Sequence, residues 1–309
     1  MLKTCTCCSH QTKRIFCDRF VIINECIKCK TLLIDHLNLD DQDIGKDYYS
    51  NQFYNQTLLE KSLLSTRKRQ SLKILRIISK FTYKKAPLID FGFGRGVFLK
   101  EAYKFGFHKL VGIESSKKAI EISETFFKKV QVVFDKNKLV FDKNILEEDN
   151  SEERIFVALD VLGLFSISNL NMWIEEILNR LIFPEYLIIK IPSRDGLLFN
   201  IAYFLAKFKI HNKFLHQLLQ VGTFPPHYFY FSKKGLLELF SKFNYEPIHI
   251  SSDLDYEISS FGSRLNVKGI QKIIFNLVIP FLSLITKISN SHDSKIIFLR
   301  LKKNPIIPI

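Results

Sequence analysis

A chain of 309 residues, 47% hydrophobic and 25% charged, has material for one large or two moderate domains with an ample buried core. That composition excludes an intrinsically disordered protein. The net charge of +14 permits attraction to nucleic acid, anionic glycans or a membrane surface, and a lysine-rich solvated face gives the same count.

Met1 to Cys8 has no apolar run of the signal-peptide kind, so a cytoplasmic location is expected, with peripheral membrane contact left open. All six cysteines lie within the first 29 residues. Cys5-Thr6-Cys7-Cys8 and Cys26-Ile27-Lys28-Cys29 are two C-x2-C pairs separated by residues 9–25, within the spacing of a zinc ribbon. Two such knuckles complete a tetrahedral structural zinc site with no open position. Cys5, Cys8, Cys26 and Cys29 are the expected ligands, with Cys7 and Cys17 spare, and metal-free reduced thiols are the alternative. Short strands at Arg14–Phe16 and Phe20–Ile23 would complete a ribbon-like module over residues 1–40.

Residues 41–85 read as a connector and helical lead-in. Tyr48, Tyr49, Phe53 and Tyr54 would form a lid over a substrate or pack between modules. A helical pattern runs from Leu58 to Phe81, with Arg67-Lys68-Arg69 as a solvated face.

The main domain is expected over residues 86–309. Leu88-Ile89 behind Pro87 is a short buried strand ending at Asp90. Gly92, Gly94 and Gly96 follow, and then an amphipathic helix from Val97 to a C′ glycine at Gly106. A glycine loop opening a helix brings backbone N–H groups close to an anionic ligand. The next strand, Leu110–Ile113, ends in Glu114, where a carboxylate can grip two ribose hydroxyls. Ser115 or Ser116 caps the following helix, expected to reach about Lys129. Val133-Phe134-Asp135-Lys136-Asn137 then recurs as Val140-Phe141-Asp142-Lys143-Asn144. One copy is expected to be the third strand and its carboxyl end, with Asp142, or nearly as well Asp135, as the polar residue there. Ile155–Leu159 is the fourth strand, ending at Asp160, and Tyr186–Ile191 the fifth. A helix at Lys233–Phe243, a sixth strand at Pro247–Ile250 and a last antiparallel strand at Ile296–Leu301 complete the pattern.

Gly-x-Gly-x-x-Gly, the dinucleotide fingerprint, does not fit, because Val97 holds the third glycine's place. Asp90-x-Gly92-x-Gly94-x-Gly96 with Glu114 instead resembles motif I and the β2 acid of class I S-adenosylmethionine (SAM) methyltransferases. Asp160-Val161-Leu162, Ile191-Pro192-Ser193 and Pro225-Pro226-His227-Tyr228-Phe229-Tyr230-Phe231-Ser232 resemble segments of the Methyltransf_23 subgroup, which often carries an N-terminal cysteine ribbon. The subgroup's Glu-His pair after the fourth strand is Gly163-Leu164 here.

The resemblance implies an α/β fold: a doubly wound, mostly parallel seven-stranded sheet with a small zinc-ribbon-like module. It implies SAM as cofactor beside structural zinc, and cofactor contacts from Asp90, Gly92, Gly94, Gly96, Glu114, Asp142 and Asp160. His227 is the candidate base, and a histidine holding a loop by hydrogen bonds is the alternative. A sugar or cell-surface glycan precursor is the expected acceptor. The rival is a non-catalytic nucleic-acid- or partner-binding protein on a relic fold. Leu197–Leu219, with Lys207, Lys209, His211 and Lys213, and the apolar stretch Ile270–Ile288 read as helices covering the sheet or lying on an anionic membrane. Oligomeric state is not readable.

Overall fold

The computed structural model describes residues 3–37, 57–135, 138–140, 153–181, 184–210, 212–221, 226–253 and 292–302, with backbone alone at 57–63, 133–135, 138–140 and 179–181. Tyr48-Tyr49, Asp142 and Ile270–Ile288 lie outside the described residues.

The chain begins with three antiparallel strands, β1 (Thr12–Cys17), β2 (Val21–Cys26) and β3 (Leu32–His36). The third of these is an addition to the expected ribbon. Helix α1 (Thr57–Ile78) leads into β4 (Leu88–Phe91), α2 (Val97–Phe105), β5 (Leu110–Glu114), α3 (Lys117–Ile122) and β6 (Lys128–Gln131). Next come β7 (Val133–Asp135), β8 (Lys138–Val140), β9 (Ile155–Leu159), and α4 (Ile167–Trp173), which runs on into a π-helical turn to Leu181. Then follow β10 (Tyr186–Pro192), α5 (Leu197–Lys207), α6 (Asn212–Leu218), β11 (Phe229–Tyr230), α7 (Lys233–Ser241), β12 (Tyr245–Asp253) and β13 (Ser294–Leu301).

The main sheet has seven strands in the order β12-β13-β10-β9-β4-β5-β6, parallel except for β13, which is antiparallel to both neighbours. From β4 the chain winds one way to β5 and β6, and from β9 the other way to β10. A switch of this kind opens a crevice at the carboxyl ends of β4 and β9. One face of the sheet packs Ile74, Leu75 and Ile78 of α1 with Phe98 and Leu99 of α2. The other face packs Trp173, Ile177, Leu236 and Phe240 together with the cysteine knuckles.

Two expectations are corrected here. Helix α3 stops at Ile122, not near Lys129, and the third parallel strand is Lys128–Gln131. The Ser123 hydroxyl turns back to the Ile120 carbonyl (2.8 Å), and Lys129 Nζ covers the Ile120 and Ser123 carbonyls (3.2 and 2.9 Å). The helix's orphan acceptors are thereby satisfied one turn early. The chain is then free to bury Phe127 and Val130 on opposite faces of the sheet. The described parts of the repeated segments do not join the main sheet. Val133–Asp135 is β7, which pairs antiparallel with β8 in a separate two-stranded sheet, and residues 141–144 lie outside the described residues.

The ribbon sheet has a fourth strand that no local pattern announces. β11, two residues long, pairs antiparallel with β3 through Phe229–Leu33 and Tyr230–Leu32. Helices α5 and α6 cover the ribbon sheet, not the main one, by packing Phe199, Ala202, Phe214 and Leu215 against Val21, Ile23, Leu32 and Ile34.

Candidate active site

The loop after β4 is left-handed at each glycine, with φ of 75° at Gly92, 57° at Gly94 and 74° at Gly96. L side chains avoid that region. A Cβ on Gly92 would also lie 2.4 Å from Val161 Cγ2. Gly94 N–H donates to Glu114 Oε2 (2.9 Å), while Oε1 accepts from the N–H groups of Ser115 (2.8 Å) and Ser116 (3.0 Å). The acid at the end of β5 therefore holds the glycine loop. Of the two candidate caps for α3 it is Ser116 whose hydroxyl accepts from Ala119 N–H (3.0 Å). Asp90 is buried one strand away, and burial, reinforced by Glu114, pushes its pKa up to about 8 against the pull of Arg67.

Asp160 ends β9 at φ 61°, a strained value for a residue with a side chain. Burial would raise its pKa, but Lys190 and Arg67 together bring it down to about 2. Both its oxygens accept from Lys190 Nζ (2.7 Å each), and Arg67 pairs with it as well. The expected solvated face is thus also an anchoring one: Arg69 is exposed and pairs with buried Asp253 (2.7 Å). Lys190 went unremarked in the sequence. Its signal was one lysine inside the apolar strand Tyr186–Pro192, where a buried cation demands a partner.

The turn Leu162–Leu164 brings Gly163 against His227. A Cβ at Gly163 would lie 2.8 Å from His227 Nδ1 and 3.0 Å from the Phe229 carbonyl oxygen. An imidazole from elsewhere in the chain thus packs directly against Gly163. His227 is 4% exposed, its Nδ1 has no hydrogen-bond partner, and burial lowers its pKa to about 4. Tyr228 N–H donates to the Gly163 carbonyl (2.8 Å), and Arg194 N–H donates to that of Phe231 (3.0 Å). Ser193 bridges to Phe231 in a parallel pair. Val161 touches the glycine loop and Gly163 touches His227, so the loop, Asp160, Ser193 and His227 gather at one end of the sheet. Tyr48, Tyr49 and Asp142, expected in the same place, lie outside the described residues.

The sulfurs of Cys5, Cys8, Cys26 and Cys29 all lie within 4.8 Å of one another, and all four residues are buried. Thiolates about 2.3 Å from a tetrahedral zinc lie roughly 3.8 Å apart. The Cys5–Cys29 and Cys8–Cys26 separations of 3.6 and 3.3 Å are somewhat shorter than that, close enough for the four residues to hold a metal ion and far too long for disulfides. Cys17 is exposed, whereas Cys7 is buried beside the cluster.

Residues 64–250 match the model of the Methyltransf_23 family, a methyltransferase domain. The chain belongs to this family. Among solved structures, the methyltransferase-family fold is shared with magnesium protoporphyrin IX methyltransferase from Synechocystis PCC 6803, which holds bound SAH. That comparison gives a TM-score of 0.51 at 10% identity, covering 85% of this chain and 100% of that one. A chain of the Haloferax volcanii complex containing the Trm112 methyltransferase activator gives 0.50 at 11% identity, covering 84% and 97%. A SAM-dependent methyltransferase from Anabaena variabilis gives 0.49 at 12% identity, covering 86% and 96%. No curated protein matches the chain.

Among the described residues no helix is long and apolar enough to cross a membrane. Phe204, Phe208 and Ile210, 58%, 59% and 66% exposed, stand beside exposed Lys207 and Lys209 where α5 turns toward α6.

Proposed function

We propose that this protein transfers a methyl group from SAM to a hydroxyl or amine of a sugar or glycan precursor, with His227 as the base. The observation that carries the reading is the gathering of the glycine loop, Asp90, Glu114 and His227 at the switch between β4 and β9. The cofactor's demands fit these residues. Asp90 is a buried carboxyl whose raised pKa leaves it short of a cation, and SAM is cationic. The left-handed glycines let a ligand approach the main chain. Glu114 holds two oxygens at a strand end, where ribose hydroxyls can replace Gly94 N–H. When bound, SAM supplies a methyl group on a sulfonium that departs as a neutral thioether.

The chain's residues do the rest. Asp90, Gly92, Gly94, Gly96 and Glu114 orient the donor, and Asp160, neutralised by Arg67 and Lys190, fixes the β9 end of the crevice. His227, neutral at neutral pH and with its one ring proton on Nε2, takes the acceptor's proton at Nδ1, which is buried and has no hydrogen-bond partner. Gly163 opens the space that lets the imidazole serve where relatives place a glutamate. His227→Ala should lower turnover by roughly two to four orders of magnitude and leave SAM affinity nearly intact. Retention of most activity in His227→Asn would mean that the ring only holds its loop.

The four-cysteine cluster is assigned a structural zinc, with residues 1–40 as its module, 41–85 as lead-in and 86–309 as the transferase domain. A cytoplasmic location is part of this reading. Peripheral contact with an anionic membrane is assigned to Phe204, Phe208 and Ile210, whose neighbours Lys207 and Lys209 supply the complementary charge. The rival, a nucleic-acid-binding relic, would bind arbitrary RNA in a salt-dependent way without binding SAM.

A further inference from the structure

We propose that the cysteine ribbon acts on the transfer site through His36, a positioning residue that pins the His227 backbone and so fixes the imidazole against Gly163. This rests on the reading of His227 as the base.

The segment that carries His227 has little structure of its own. β11 is two residues long, and its strand partner is β3 of the ribbon. An isolated pair of residues does not hold an extended conformation, so β11 exists as a strand because β3 provides its template. The attachment continues toward the site. Ile34 N–H donates to the Tyr228 carbonyl (2.9 Å). His36 Nε2 lies 2.8 Å from the His227 carbonyl oxygen, and since a carbonyl only accepts, Nε2 carries the proton. The His36 ring also meets Tyr228 edge-on at 5.7 Å. His36 thus holds the residue whose side chain faces Gly163.

The far end of the segment is anchored at the cysteine knuckle. The Ser232 hydroxyl donates to the Cys29 carbonyl, and Ser232 N–H donates to Thr31 Oγ1 (3.3 Å). A Cβ on Gly235 would lie 2.0 Å from Thr31 Oγ1 and 3.3 Å from Cys29 Sγ, so α7 starts directly against the knuckle. From the opposite side the Gly163 carbonyl accepts from Tyr228 N–H (2.8 Å). His227 therefore sits in a strap between the ribbon and the turn after β9. The cofactor half is built differently. Gly92 N–H bonds to Ile113 (2.7 Å) and Gly94 N–H to Glu114, all within β4–α2–β5. Loosening the ribbon should disturb the base and spare the donor site.

The test uses the full chain labelled with ¹³C at histidine Cε1, His227 being assigned through His227→Asn. In the wild type the His227 signal should titrate near pH 4. Burial lowers that value, Asp160 raises it and the charge of His36 lowers it. His36→Ala should therefore move it toward the ordinary histidine range both by losing the charge and by releasing the ring. His36→Gln, which has no charge but an amide that can still donate to the carbonyl, should keep the burial-driven part of the lowering. SAM dissociation constants should stay within about twofold throughout. Release of S-adenosylhomocysteine with a panel of nucleoside-diphosphate sugars should fall at least tenfold in kcat for His36→Ala, since small displacements of a catalytic group cost up to about a hundredfold. His36→Phe, which keeps a ring against Tyr228 but has no donor, repeats the test should His36→Ala not fold. An unmoved His227 signal in both donor-free variants overturns the proposal, as does a matching fall in SAM affinity. A signal that moves and is rescued, with no sugar methylated, upholds the clamp while sinking the proposed acceptor.

Discussion

Gly92→Ala puts the closest contact of the cofactor loop under load. At φ 75° an alanine pays for the left-handed conformation, about 1–2 kcal/mol. Its Cβ must also push Val161 Cγ2 away from 2.4 Å, and overpacking of that kind costs about 1–3 kcal/mol. The sum is a destabilisation of about 2–5 kcal/mol, read from urea unfolding at constant m-value. The two contributions separate because only the second depends on Val161. Gly92→Ala combined with Val161→Ala should recover about 1–3 kcal/mol relative to additivity, leaving the backbone strain in place. SAM affinity should fall at least about tenfold in Gly92→Ala and return only in part in the double variant. A loss under about 0.5 kcal/mol, or a coupling indistinguishable from zero, would refute the packing of Val161 over this loop.

Asp90 should make SAM binding pH-dependent. Its raised pKa means that the carboxylate forms as pH climbs toward about 8, so affinity for the cationic donor should rise from pH 6 to 8 and stay level in Asp90→Asn. The same raised value means that Asp90 favours folding at low pH and loses that contribution as pH rises through 8, so Asp90→Asn should gain on the wild type in alkaline melts. Metal analysis without chelators should find one zinc per chain, lost in Cys8→Ser and kept in Cys7→Ser. For His227, whose pKa is lowered to about 4, the acid limb of turnover should fall near that value rather than near 6.5. An acid limb at the ordinary histidine value in the wild type would remove His227 as the base.

The parts of the fold legible in the sequence are those whose signals are local. Asp90, the three glycines, Val97–Phe105 and Glu114 sit in one continuous strand–loop–helix–strand unit, where conformation follows from neighbours in the chain. The two cysteine knuckles were legible for the same reason. What escaped depends on pairs far apart in sequence. Arg67 looks like a surface residue until Asp160 is brought to it, and Lys190 is an oddity in its strand until it meets the same carboxylate. Gly163 in the sequence is a missing glutamate, whereas in the fold it is the space into which His227 fits. β11 carries no pattern of its own, because a two-residue strand is defined by β3 alone. The expected extension of α3 failed because periodicity cannot see Lys129 folding back to finish the helix early.

Calorimetric titration of SAM into the purified full-length chain tests the central claim most directly. Saturable binding of one SAM per chain is expected, with no binding of NAD and at least about tenfold weaker SAM binding in Glu114→Ala, because the variant removes the acid that holds the loop and, in the proposed reading, takes the ribose hydroxyls. A wild-type protein that takes up no SAM, or a Glu114→Ala variant that binds it undiminished, would contradict the account.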